Sequence, residues 1–459
     1  MDIYSKNQNY TLLHGNMLDM TENIRPCTID AIVTDPPYEL NFMNKQWDNT
    51  GIAFRKETWA KCLEVLKPGG YLLAFGGSRT FHRIACAIED AGFEIRDTIM
   101  WIYGSGFPKS MNIGLAIDKK NGVQSKVIGE KNVPDIRSGN YENNDGSRLM
   151  VQEKEALNKW SGWGTALKPA FEPIIVARKP CEGTCVDNVL KYDVGGINID
   201  ECRIENICCE DLGRNCHVKP FGGITINEST TPPQDDRGRF GGRFPSNVIL
   251  TYDETDYEEV CGSLPVSNKP NGSIRNQNLN SSLGKNGIYG HYSEKQPLFE
   301  AYDDSGSAAR YFYCAKTSKR DRDEGLENFD DKMIAFSNQA QAEAKRGSVL
   351  KKGGMNDVKI RKNIHPTVKP TNLMQYLVRL VTPNGGTVLD PFNGSGSTGK
   401  AVMYENKDHN KKYKYIGIEL SEEYLEISKA RIDFAIQDVC EITEDTNVKQ
   451  ISIFDFLEG

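Results

Sequence analysis

Apolar positions in this chain cluster in two stretches, separated by a long polar middle. In the first, Ala31, Ile32 and Val33 form a continuous apolar run that predicts a buried strand. Pro36 and Pro37 stop it, because proline has no N–H for a sheet ladder. Trp59, Cys62, Leu63 and Leu66 then recur at the spacing of one helix face, and Pro68-Gly69-Gly70 ends that helix ahead of a strand over 71–75. Phe81, Ile84, Ala85 and Ile88 repeat the stripe, Gly92 stops it, and a strand over 95–103 follows. Such alternation predicts parallel βαβ units.

The second stretch has the same grammar. Leu373, Tyr376, Leu377 and Leu380 make a helical stripe that ends at Pro383 and Gly385-Gly386. A strand over 387–389 runs into Asp390-Pro391-Phe392, then a glycine-rich turn, a helix, and a strand over 415–418 ending at Glu419. Ser421 is placed to cap the last helix, with Glu422 and Glu423 in its first turn. Residues 120–345 are rich in Gly, Asn, Ser and Asp, with strand signals only near 171–176 and 247–250. They are expected to form a recognition module with long loops.

Composition narrows the class. The chain has 459 residues, 38% hydrophobic and 26% charged, which is enough for a full α/β core and a second module. No run approaches eighteen apolar residues and the N-terminal segment has no apolar h-region, so a cytoplasmic protein without membrane contact is expected. Twelve scattered cysteines argue for thiols rather than a disulfide framework. Cys181, Cys185, Cys202, Cys208, Cys209, Cys216 and His217 lack the paired spacing of zinc modules, so no metal is expected.

The net charge of −7 argues against a nucleic-acid coat over the whole chain. One segment runs the other way: Lys345, Arg346, Lys351, Lys352, Lys359, Arg361, Lys362 and Lys369 face the single acid Asp357. It would suit phosphates, with Lys351, Lys352, Arg361 and Lys362 as the candidate contacts.

Two motifs carry chemistry. Asp390 to Gly399 joins a strand to a helix through glycines that let the backbone approach a ligand, and Glu419 ends the next strand, where an acid can accept both hydroxyls of a ribose. The same residues imitate a triphosphate loop, Gly394-x4-Gly399-Lys400, but Ala401 stands where Mg²⁺ needs a hydroxyl. In Asp35-Pro36-Pro37-Tyr38, Asp35 and the Pro36 carbonyl are both acceptors for an exocyclic NH₂, and Tyr38 is an aromatic face for a base.

Together, Asp35-Pro36-Pro37-Tyr38 and Phe392-Asn393-Gly394-Ser395-Gly396 resemble the amino-methylating DNA methyltransferases. Their order, with the catalytic motif first, is similar to the circularly permuted β group of that family. Residues 13–20, 104–110, 168–180, 307–322 and 365–370 also look like it. The resemblance implies a Rossmann-like, seven-stranded, mostly parallel α/β fold that binds S-adenosylmethionine. It further implies catalytic residues Asp35, Pro36, Pro37 and Tyr38, and cofactor contacts from Asp390, Phe392, Asn393, Gly394, Ser395, Gly396 and Glu419. Asp19 is expected near the cofactor's adenine, and Thr367 and Lys369 in the segment that closes the pocket. The aspartate form of the motif accompanies both adenine-N6 and cytosine-N4 enzymes, adenine more often.

The expected organisation is a catalytic half at 1–119, a target-recognition region at 120–345, a cofactor half at 346–440 and a tail at 441–459. The expected function is site-specific methylation of adenine N6 in double-stranded DNA in a bacterial cell. Cytosine-N4 methylation is the alternative within enzymes, and a non-catalytic DNA-binding protein the alternative outside them. Intact Asp35 and Tyr38 count against the latter. A homodimer is left open. In the tail, Gln450, Ile453 and Phe454 resemble the short peptide that docks on the bacterial sliding clamp, although an edge strand explains the same alternation.

Overall fold

In the computed structural model, the two apolar runs lie side by side at the centre of one ten-stranded sheet. The structure describes residues 2–40, 46–103, 110–134, 148–204, 244–252, 266–267, 306–307, 312–316, 319–335 and 358–444. The sheet comprises β1 (Ile3–Lys6), β2 (Tyr10–His14), β3 (Ile29–Thr34), β4 (Leu66–Phe75) and β5 (Glu94–Tyr103). It continues with β6 (Phe171–Arg178), β7 (Val248–Tyr252), β8 (Tyr313–Lys316), β9 (Thr387–Asp390) and β10 (Lys414–Glu419). Their order is β1-β2-β10-β9-β3-β4-β6-β5-β7-β8. All neighbours are parallel except β1 against β2 and β6 against both its partners. The seven strands from β2 to β5 form the expected centre; β1 extends one edge, and β7 and β8 the other.

Side-chain alternation along these strands builds two cores. Ala31, Val33 and Val388 face α4 (Thr371–Val381 here, after α1 Met17–Thr21, α2 Lys56–Val65 and α3 Phe81–Asp90), α5 (Ser397–Asp408) and α6 (Glu422–Glu444). Ile32 and Leu389 face α1, α2 and α3 on the opposite side, where Trp59, Cys62, Ile84 and Ile88 are buried. The result is a three-layer α/β/α unit, as a strand's period of two requires when both faces are covered. Among the described residues, no helix is long and apolar enough to cross a membrane.

Two expectations change. Helix α2 ends at Val65, and Pro68-Gly69-Gly70 lies inside β4, where the register against β3 shifts. A Cβ on Gly70 would sit 3.0 Å from the Asp30 carbonyl, so the missing side chain lets the two strands approach. Residues 120–345, expected to be a separate region, contribute β6, β7 and β8 to the main sheet. The antiparallel insertion of β6 between β4 and β5 is a long-range pairing that no local pattern announces.

From β9 the chain passes to β10 on one side, and from β3 to β4 on the other. The carboxyl ends of β3 and β9 therefore flank a topological switch point, the place where open α/β sheets leave a crevice for ligands.

Candidate active site

That crevice is a cavity of about 1530 Å³ lined by both motif segments. Asp35 follows directly from β3, and its Oδ2 lies 2.8 Å from Lys369 Nζ. Its Oδ1 is buried without a hydrogen-bond partner among the described residues. Lys369 Nζ also lies 3.3 Å from Glu172 Oε2 and donates to the Tyr38 hydroxyl oxygen at 3.1 Å. The Tyr38 hydroxyl in turn donates to Glu172 Oε2 at 2.7 Å, and the Tyr103 hydroxyl to Oε1 at 3.3 Å. The rings of Phe75, Tyr38 and Trp101 surround the ammonium, with centroids 5.0, 5.2 and 5.8 Å away.

One buried ammonium thus serves two carboxylates. Burial raises the Asp35 carboxyl above its ordinary value, the nearby Lys369 charge opposes this, and Glu172 adds to it. Burial works against the Lys369 charge, but Asp35 and Glu172 outweigh it and hold the ammonium protonated. Burial and the same two acids push the Tyr38 hydroxyl well up, so it remains a donor. The turn after the motif is pinned: Thr80 Oγ1 donates to the Tyr38 carbonyl at 2.8 Å, and the Glu39 N–H donates to Asp48 Oδ1 at 2.8 Å.

At the other end, β9 delivers Asp390, which is buried and fully engaged. Its Oδ1 accepts from the Thr34 hydroxyl at 2.6 Å and the Phe392 N–H at 3.1 Å, and its Oδ2 from the Thr398 hydroxyl at 2.6 Å. Burial pushes its carboxyl up to about 6. Gly394 follows at φ +52, and a Cβ there would stand 2.9 Å from His365 Nε2, so glycine both permits the left-handed turn and lets the His365 ring pack against it. Its N–H donates to Glu419 Oε2 at 2.8 Å, while the Ser421 N–H donates to Oε1 at 2.9 Å. Burial raises the Glu419 carboxyl. Burial and the neighbouring Arg322 charge hold His365 down at about 3, which keeps its ring neutral.

Asp35, Pro36, Pro37, Tyr38, Thr367, Lys369, Asp390, Phe392, Asn393, Gly394, Ser395 and Glu419 all line this cavity. Two expected contacts stand elsewhere. Asp19 is exposed on α1, and its neighbours from Gly15 to Leu18 line the wall instead. Gly396 packs against α6, where a Cβ would meet Ser428 Oγ at 2.4 Å. Asn393 and Ser395 are also committed to the fold, accepting from the Tyr415 hydroxyl at 2.8 Å and, through the Ser395 carbonyl, from Arg431 Nη1 at 2.7 Å.

Lys369, read from sequence as part of a basic run, belongs to the acid–amine cluster. Lys400, the lysine of the triphosphate imitation, is buried against Asp321 at 2.7 Å and Glu324 at 2.8 Å, so its charge is committed to two carboxylates. Glu172 was missed: it sits in a short strand of the polar middle, and only the pairing of β6 with β4 and β5 brings it to Tyr38. Lys351, Lys352, Gln450, Ile453 and Phe454 lie outside the described residues, as do Cys208, Cys209, Cys216 and His217. Among the described residues, no group of three His, Cys, Asp or Glu is arranged to hold a metal.

Comparison with known proteins agrees with this geometry. The N6/N4 family described as DNA methylase matches residues 29–430. Type II methyltransferase M.HindIII of Haemophilus influenzae is 26% identical over 146 residues, which is 31% of this chain and 37% of that protein. Type II methyltransferase M2.LlaDCHI of Lactococcus lactis subsp. cremoris is 26% identical over 207 residues, 38% of this chain and 74% of that one. DNA adenine methyltransferase YhdJ of Escherichia coli is 37% identical over 71 residues, 16% of this chain and 22% of its own. The matched segments therefore span from about a fifth to three quarters of these relatives. With both motif segments inside a family match that covers most of its length, the chain belongs to the DNA methylase family of N6/N4 methyltransferases.

Proposed function

We propose that this protein transfers a methyl group from S-adenosylmethionine to the exocyclic N6 of an adenine at a specific site in double-stranded DNA. The observation that carries the proposal is Asp35 Oδ1, a buried acceptor without a partner among the described residues, at the wall of a large cavity. A single small-molecule site occupies roughly 300–1,000 Å³. At about 1530 Å³ this cavity has room for a cofactor at the Gly394 end and a nucleotide at the Asp35 end.

The residues fit S-adenosylmethionine. The Gly394 turn lines the cavity, and Glu419 has acceptor capacity for ribose hydroxyls beyond its two backbone donors. The cofactor supplies an electrophilic methyl group there.

A base amine within a duplex cannot reach such a methyl, so the nucleotide is unstacked, at a cost of about a few kcal/mol. Stacking on Tyr38 offsets roughly 1–3 kcal/mol of it. Asp35 Oδ1 and the Pro36 carbonyl accept the two amine N–H groups, drawing the nitrogen lone pair out of conjugation and aiming it at the cofactor end. Orientation of this kind is worth on the order of 7–11 kcal/mol. As the nitrogen gains its methyl it sheds a proton, and Asp35 Oδ1, whose proton affinity burial has raised, stands beside it to accept. Lys369 at Oδ2 keeps Asp35 in place and compensates its charge until then.

Adenine is favoured by the Asp-Pro-Pro-Tyr form of the motif and by the similarity to an adenine methyltransferase. Phosphate contacts fall to Lys351, Lys352, Arg361 and Lys362 in this reading. The Lys362 ammonium donates to the Glu327 carbonyl at 2.6 Å and has further N–H donors for a phosphate. The test is to incubate the protein with methyl-labelled cofactor and unmethylated DNA, digest to nucleosides and identify the labelled one. N6-methyl-2′-deoxyadenosine is expected. Label in N4-methyl-2′-deoxycytidine would overturn the base assignment, and no label would overturn the transfer.

A further inference from the structure

On the rim of the same cavity stands a side chain that this chemistry does not use. Leu167 is 93% exposed, the largest fraction among the described large apolar residues, yet it lines the cavity. Its loop is not a loose tip. Ser110 Oγ accepts from the N–H groups of Thr165 at 2.9 Å and Ala166 at 3.2 Å, and the Met111 N–H donates to Thr165 Oγ1 at 2.9 Å. At the base of the loop, Asp118 accepts from the Leu157 N–H at 2.9 Å and from Asn158 Nδ2 at 2.7 Å. The same segment also exposes Leu157, Trp160 and Trp163, but of these four only Leu167 lines the cavity, and its exposure forgoes burial until something apolar arrives.

The position says what arrives. Pro169 and Ala170 lead from Leu167 into β6, where Glu172 holds the Tyr38 hydroxyl. Five residues of chain reach at most about 18 Å, so Leu167 stands within a few base-pair rises of the proposed base pocket. Proteins that distort DNA insert apolar side chains of this kind between base steps. Resting on the methyl-transfer reading above, we propose that Leu167 is the wedge that enters the duplex as the target base leaves it. It fills the vacated place in the stack and holds the base in the cavity against Tyr38.

The experiment uses the full chain and its Leu167→Ala variant, which removes an exposed side chain and no described hydrogen bond. Once sequencing of methylated DNA has located the modified position, two duplexes are made around it. One is fully matched; in the other an abasic site faces the target. Turnover is measured on both, and 2-aminopurine at the target position reports extrusion by fluorescence. The variant is expected to lose roughly tenfold or more in turnover on the matched duplex, with weaker fluorescence. It should recover toward wild type on the abasic duplex, with unchanged cofactor affinity. Wild-type turnover and fluorescence on the matched duplex would overturn the inference, as would an equal loss on both duplexes. Weakened cofactor binding would make Leu167 a cofactor lid, and a changed oligomeric mass a subunit contact; either also overturns it. Failure of the wild type to methylate any DNA would fell the methyl-transfer reading itself, an outcome distinct from all of these.

Discussion

Asp35 and Asp390 are the same residue type at the carboxyl ends of adjacent strands, both in the wall of one cavity, and the fold treats them in opposite ways. Asp390 spends both oxygens on the protein: Thr34 reaches it from 356 positions away along the chain, and Thr398 from the first turn of α5. It ties the two halves of the sequence together at the switch point. Asp35 binds Lys369 through one oxygen and keeps the other unmatched in a buried wall. An unpaired buried acceptor costs stability, and this one stands where the proposed substrate amine would complete it. The contrast separates an acid whose bonds are all made within the fold from one that the proposed mechanism can use.

The sharpest way to break this comparison is to remove each acid in turn. Asp35→Ala is expected to lower turnover by roughly a hundredfold or more, since it deletes the acceptor aimed at the amine. Glu172 remains to compensate Lys369, so the melting temperature should change little. Asp390→Ala is expected to do the reverse first, destabilising the fold by about 2 kcal/mol or more as the buried hydroxyls of Thr34 and Thr398 lose their acceptor. Denaturant titration with single-turnover kinetics reads both. Equal destabilisation by the two substitutions would erase the distinction.

A smaller effect is expected at the cofactor end. Glu419→Ala should weaken cofactor binding by roughly tenfold to a hundredfold, by losing ribose acceptors and freeing the Gly394 and Ser421 N–H groups. Turnover at saturating cofactor should survive, and calorimetry against a single-turnover assay separates the two. Unchanged affinity would move the ribose elsewhere.

The smallest effect is a displacement of the pH profile. Asp35 accepts only when ionised, and its carboxyl is raised, so kcat/KM should fall with decreasing pH along a limb above the ordinary carboxylate range, about 4. Lys369 opposes that rise; Lys369→Met should therefore shift the limb to still higher pH. A limb that stays in place, or moves down, would mean that Lys369 does not set the charge of Asp35.

Sequence by itself determined what local chemistry can encode. Continuous apolar runs marked β3 and β9, helical stripes marked α2, α3 and α4, and the two motifs marked both ends of the cavity, because proline, glycine and a strand-ending acid act within a few residues of themselves. Only the tertiary structure decided which of those residues line the cavity. Asp19 and Gly396 turn away from it, Lys369 leaves the basic segment for Asp35, and Glu172 enters from the polar middle on a strand whose place depends on pairing with β4 and β5. Leu167 reads as an ordinary apolar residue in the sequence and becomes conspicuous only through its exposure beside the site. The physical reason is range: periodicity and turn chemistry report on neighbours along the chain, whereas burial, unmatched acceptors and ion pairs are set by residues hundreds of positions apart.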